Sequence, residues 1–206
     1  MQPVKIVQTL APVRLLTRRG LLTLGGLLTL VGLLSLAGLL SGGAQAAVIT
    51  SIGSSSLPGA STGTIGPVGS TPAPNNDNAV AASPNVVPYS IFLNTPGAME
   101  VEFIASNSGG TTEYRFTQNL INNTGQTWTG IRVELGFGLG ADFVASTSDQ
   151  LDFDTPDMDP APSASAFSAL THTSDVLTWS GGSLPAIGGL QLTFSIDVPD
   201  NLDPTG

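Results

Sequence analysis

Apolar and polar side chains alternate one for one along four stretches of the chain. Leu190, Leu192, Phe194, Ile196 and Val198 are interleaved with Gln191, Thr193, Ser195 and Asp197. Met99, Val101 and Phe103 are interleaved with Glu100 and Glu102. Tyr114, Phe116 and Leu120 alternate with Arg115, Thr117 and Asn119, and Ile131, Val133, Leu135 and Phe137 with Arg132 and Glu134. A period of two sends successive side chains to opposite faces, so each stretch predicts a β-strand with one dry and one wet face. Shorter strands are predicted over 86–93, 141–145, 151–154, 166–171 and 176–180. No stretch of ten or more residues repeats its apolar positions with the helical period. Many short strands broken by Gly, Pro and Asn predict an all-β fold. The architecture expected is an antiparallel β-sandwich of about seven to nine strands, immunoglobulin-like or jelly-roll-like.

One hairpin register can be written down. A strand ending at Asn122 and another starting near Trp128 flank Asn123-Thr124-Gly125-Gln126. With Thr124-Gly125 at the turn centre, Phe116 faces Val133 and Tyr114 faces Leu135 on the dry side. Arg115 then meets Glu134 on the wet side. An exposed ion pair of this kind is worth about 0–1 kcal/mol and is a surface feature rather than a site.

Charge divides the chain. Lys5, Arg14, Arg18 and Arg19 are four of its six basic residues, and no acid precedes Asp77. An uncharged apolar stretch, 20–40, follows the arginines, and then Ala44-Gln45-Ala46. A basic region, an apolar stretch and a small-x-small site are the parts of a secretory signal, here 1–46 with the cut after Ala46. The alternative is an uncleaved membrane anchor, since the apolar stretch is long enough to span a bilayer. Thr17-Arg18-Arg19-Gly20-Leu21-Leu22 looks like a twin-arginine export signal without its usual aromatic residue. Residues 47–85, rich in Ser, Gly, Pro, Thr and Asn and without an aromatic, are expected to form a disordered tether. All aromatics lie between Tyr89 and Phe194, so the sandwich domain is placed at 86–206.

Composition removes several chemistries. The chain has no cysteine and one histidine, His172. Disulfides, thiol catalysis, Cys-ligated metals and His-pair metal motifs are therefore excluded. After the expected cut only Arg115 and Arg132 remain as cations against 15 acids. A chain so acidic does not bind nucleic acid, because phosphate contacts need Lys and Arg.

A family resemblance rests on a series of short runs. Tyr114-Arg115-Phe116-Thr117-Gln118, then Asn122-Asn123-Thr124-Gly125-Gln126-Thr127-Trp128, lead into Arg132-Val133-Glu134-Leu135-Gly136-Phe137-Gly138. Leu151-Asp152-Phe153-Asp154-Thr155-Pro156, Leu177-Thr178-Trp179-Ser180-Gly181-Gly182 and Phe194-Ser195-Ile196-Asp197-Val198-Pro199 follow. Over about residues 98–200 the chain resembles the exported, β-rich surface proteins of bacteria that carry a PEP-CTERM sorting tail. The resemblance implies a structural domain, exported and processed at the envelope of exopolysaccharide-producing bacteria. The sequence stops at Asp203-Pro204-Thr205-Gly206, without the Pro-Glu-Pro motif, apolar helix or basic cluster of that tail. Either the sequence is truncated or this member is released rather than sorted, and the tail's anchoring chemistry transfers to no residue here.

The candidate sites follow from residue type. Asp149, Asp152, Asp154, Asp157 and Asp159 put five carboxylates into eleven residues, a donor set suited to calcium. An EF-hand is excluded, because Ser163 stands where its closing Glu belongs. The opposing reading is a solvated acidic loop broken by Pro156 and Pro160. Trp128 and Trp179 are candidates for stacking on sugars, against the alternative of core packing. Gly59-Ala60-Ser61-Thr62-Gly63 matches the nucleophile-elbow pattern but lies in the tether, away from any strand-to-helix turn. His172 stands near Ser174 and Asp175, yet a triad needs convergence in space, not adjacency in sequence. Glu100, Glu102, Glu113 and Glu134 are the acids from which a glycosidase pair would be drawn.

These readings converge on a non-enzymatic exported domain, structural or interacting, at the cell surface or in the extracellular matrix. Its expected partners are polysaccharide or envelope components, and membrane contact is expected only through an uncleaved signal. Calcium is the one cofactor considered. A carbohydrate-binding β-sandwich module and a secreted hydrolase are the alternatives.

Overall fold

The computed structural model describes residues 2–9, 48–55, 60–62, 82–107, 110–138, 140–146, 151–154 and 160–200. Alternation decides which face of each strand is dry. Met99, Val101, Phe103 and Ala105 are buried on the strand Met99–Ser106, while Glu100, Glu102, Ile104 and Ser106 are half-buried. The same rhythm runs through Val86–Leu93 and through Ile131–Phe137 as far as Leu135, but in Gly188–Pro199 it stops after Thr193, where Ser195 and Asp197 are buried along with their apolar neighbours. The described residues form twelve strands: β1 (Gln2–Thr9), β2 (Val48–Ser55), β3 (Ala60–Thr62), β4 (Val86–Leu93), β5 (Met99–Ser106) and β6 (Thr111–Asn122), followed by β7 (Ile131–Phe137), β8 (Val144–Ala145), β9 (Ser163–Ala164), β10 (Phe167–His172), β11 (Val176–Gly182) and β12 (Gly188–Pro199).

The fold is an antiparallel β-sandwich made by one sheet curled onto itself. Its strand order is β2-β5-β1-β7-β11-β10-β9-β12-β6-β4-β3, with β8 beside β7. The pairings are antiparallel except that between β4 and β6. The two-residue β9 joins the halves by pairing with β10 on one side and β12 on the other. Aromatic contacts show the halves facing each other. Phe103 of β5 meets Phe116 of β6 edge-on at 5.1 Å, and Tyr89 of β4 edge-on at 5.9 Å. Phe116 also stacks on Phe194 of β12 at 5.5 Å. Such ring pairs contribute about 0.5–1.5 kcal/mol each beyond the area they bury. A hydrogen bond ties the layers as well: the backbone N–H of Ile49 donates to the Tyr114 hydroxyl at 3.0 Å.

The hairpin register does not form. β6 lies between β12 and β4, so Phe116 is opposite Phe194 and Val87, and Arg115 is opposite Ser195 and Val86. β7 lies between β1 and β11. Alternation fixes the face a residue takes, and it cannot distinguish a neighbour in the same layer from one across the core. The turn after β6 therefore arches from one layer to the other. Glu134 pairs instead with Arg132, two residues along its own strand.

The strand count also differs from about seven to nine. β8 and β9 are too short to display a period. β1 falls within the expected signal, and β2 and β3 fall within the expected tether. Val48, Ile49, Thr50 and Ile52 supply the β-branched residues an edge strand favours. Two register shifts interrupt β2 against β5, and such bulges blunt an edge. Of the strand expected over 141–145 only Val144–Ala145 forms, as β8, and Gly140–Asp142 is a 3-10 turn. The segment at 151–154 holds one bridge, between Asp152 and Asp197, rather than a strand.

Candidate functional site

The central part of the acidic segment is fixed by the apolar residues between its acids. Leu151 and Phe153 are fully buried, and Phe153 meets Phe194 edge-on at 5.6 Å. Asp152 bridges β12 through its backbone: the Asp197 N–H donates to the Asp152 carbonyl at 2.9 Å. Asp197 is in turn opposite Glu113 on β6. Three acidic positions thus stand abreast at this end of the sheet, and Arg115 lies one pleat further along the face of Glu113. Asp154 is buried and adopts φ 34°, so the extended run ends there and Asp154 does not share a strand face with Asp152. Asp149, Asp157 and Asp159 lie outside the described residues. Among the described residues no three His, Cys, Asp or Glu come together in a group able to hold a metal ion.

Both tryptophans are inside. Trp128 is 8 % exposed and Trp179 2 % exposed. A sugar ring stacks on a solvent-facing indole, and neither indole presents such a face here. Trp128 is held by reciprocal backbone bonds with Leu184, both at 2.9 Å. Trp179 is opposite Leu170 of β10 and Ile131 of β7. Of the remaining aromatics, Phe92 at 38 % is the large exposed ring among the described residues.

The Asn-Asn-Thr-Gly-Gln run before Trp128 is a structural hub that motif reading missed. Asn122 is fully buried, and all of its amide atoms are engaged. Its Nδ2 donates to the carbonyls of Gln126 and Pro185, both at 2.8 Å. Its Oδ1 accepts from the Thr124 N–H at 3.1 Å and the Thr124 hydroxyl at 2.7 Å. Gly125 takes φ 76°, the left-handed conformation that glycine adopts without steric cost. The signal available in sequence was an Asn two residues before Thr and three before Gly, which is the pattern of an Asx turn.

The catalytic candidates do not assemble. His172 is exposed near the end of β10. The Ser174 hydroxyl donates to Asp175 Oδ2 at 2.8 Å, so its proton is directed to a carboxylate. Burial pushes the Asp175 carboxyl above its ordinary range; the Ser174 bond pulls it back, and the charge of Glu134 adds to the rise. Ala60–Thr62 is an edge strand on β4, with Ser61 opposite Phe92, which is not the strand-to-helix elbow that exposes a nucleophile. Glu100, Glu102 and Glu134 lie on the outward face of β5 and β7, whereas Glu113 is buried in the opposite layer. Glu100 caps a turn, accepting from the Gly140 N–H at 2.8 Å. Comparison with protein families, curated proteins and solved structures returns no match to this chain.

Proposed function

We propose that this chain is a non-enzymatic exported domain, structural or interacting, that presents an acidic sheet face at a bacterial surface or in its extracellular matrix. The observation that carries this reading is the outward row Glu100, Glu102 and Glu134 on β5 and β7. These acids sit on a rigid sheet whose aromatic residues are turned inward almost without exception. Support also comes from the order of the N-terminal residues: cations, then the uncharged stretch 20–40, then Ala44-Gln45-Ala46. Residues 20–40 lie outside the described residues. Among the described residues no helix is long and apolar enough to cross a membrane.

An acidic face binds by charge, through cationic groups of a partner or through divalent ions shared with an acidic polysaccharide. Its contacts weaken as salt shortens the screening length. The test is fractionation of a bacterial culture expressing the tagged chain. The chain is expected in the medium or matrix fraction, and a salt wash is expected to release it from the matrix. The triple variant Glu100→Gln, Glu102→Gln, Glu134→Gln is expected to be exported but not retained. A chain that stays in the cytoplasm, or a triple variant retained like the parent, contradicts the reading.

A further inference from the structure

β1 holds its half of the sandwich together. It pairs antiparallel with β5 over Gln2–Gln8 and with β7 over Lys5–Thr9. Among the described residues, strand pairing joins β5 and the edge strand β2 to β7 and the rest of their layer only through β1. Both neighbours run antiparallel to β1, so they are parallel to each other, about two strand spacings or roughly 9 to 10 Å apart. The positions lining this gap are dry. Met99, Val101 and Phe103 on β5 and Val133 and Leu135 on β7 are at most 0 % exposed, with β1 in place.

The strand that fills the gap belongs to the segment that an export protease would remove. Cutting after Ala46 would strip the ladder from 99–105 of β5 and 132–136 of β7 together. Buried backbone groups left without partners cost about 1–3 kcal/mol each, so the gap cannot simply stay open and dry. Direct closure would require β5 and β7 to form a new parallel pair and shift the aromatic contacts of Phe103 across the core. Adding a strand from outside restores every bond without moving either layer.

We propose that the gap between β5 and β7 is a strand-acceptor slot, which in the processed protein takes an extended segment of a partner protein. The chemistry of that segment is read from the strand seated there now. The register sets Val4 opposite Phe103 and Ile6 opposite both Val101 and Leu135, so the incoming strand carries apolar residues at these alternate positions. It sets Lys5 opposite Glu102, and Val7 between Glu100 and Glu134, so the outward positions favour a base. Residues 47–206 contain no lysine and only two arginines, both already placed within β6 and β7. Within residues 47–206 a second processed copy offers no such segment, and the occupant proposed is a different protein that supplies an apolar-alternating strand with a cation. This inference rests on the reading that the N-terminal segment is processed.

The experiment uses the full chain with a specific protease site inserted after Ala46. After cutting, a fluorescent synthetic peptide of residues 2–9 is added. It is expected to exchange into the slot at one per chain and to raise the thermal midpoint of the cut protein. An Ile6→Asp peptide is expected to bind at least about tenfold more weakly, because it would put a charge opposite two buried apolar residues. A Lys5→Glu peptide is expected to bind more weakly at low salt, with the difference shrinking at high salt. If the cut protein aggregates, rescue by the parent peptide but not by Ile6→Asp supports the slot, and failure of both overturns it. A cut protein that keeps its melting temperature and takes up no peptide also overturns it. N-terminal sequencing of the exported chain separates the two readings: a chain that still begins before Ala46 removes the processing premise while leaving the exchange result intact.

Discussion

At the residue scale, polar groups inside this sandwich hold the structure alongside the rings. Asn122 closes the arch between the layers with four hydrogen bonds. Asn122→Ala leaves the carbonyls of Gln126 and Pro185 without those donors in a buried site, and a loss of about 2–4 kcal/mol in urea unfolding is expected. Asn122→Asp is expected to be worse, since it removes both donors and brings a charge into the same place. Asp175 works in the opposite direction. Its folded pKa lies above the unfolded value, with burial the largest cause. The folded state therefore binds the proton more tightly, and this group's contribution to stability is present below the unfolded pKa and lost as pH rises through the folded one. Asp175→Asn is expected to melt higher than the parent at pH 7, with the gain vanishing as pH falls below the ordinary carboxylate range. Thermal scans across pH check this, and a gain that grows toward acid would contradict it.

At the element scale, strands were legible in the sequence and their neighbours were not. β4 and β7 fall where alternation put them, at Val86–Leu93 and Ile131–Phe137. Two faces of different polarity are a local property, written every second residue. Pairing is a property of the whole chain, and Phe116 satisfies it with Phe194, far along the sequence, rather than with Val133. The acidic segment divides in the same way. Its apolar anchors Leu151 and Phe153 follow from alternation, whereas the bridge of Asp152 to Asp197, itself opposite Glu113, does not. Arrival of Asn122 at Pro185 was equally out of reach, because the contact joins two turns that only the finished fold brings together. A double-mutant cycle on Arg115→Ala and Glu134→Ala tests the corrected pairing. Coupling within about 0.3 kcal/mol of zero is expected, as for independent sites. A coupling of about 0.5 kcal/mol or more would restore the hairpin. A related constraint holds Gly182, where an added Cβ would lie 2.0 Å from the Ala166 carbonyl oxygen. The Gly182 position is thus shaped by the close approach of the backbone leading into β10.

At the scale of the whole molecule, an aromatic-rich interior is wrapped by outward faces rich in acids. The burial of Trp128 and Trp179 assigns both to the core. The cation-poor composition explains why those faces are acidic, and the placement of β1 links the N-terminal segment to the completeness of one layer. All of this depends on β6 lying against β12, with β7 in the other layer. The chain contains no cysteine, so an engineered disulfide reports one contact without ambiguity. Thr117 and Thr193 are opposite each other on β6 and β12. Thr117→Cys with Thr193→Cys is expected to form a bond on mild oxidation, seen as a linked peptide pair after digestion. Formation of a bond instead by Thr117→Cys with Arg132→Cys, the pair that a β6–β7 hairpin would bring together, would contradict the fold.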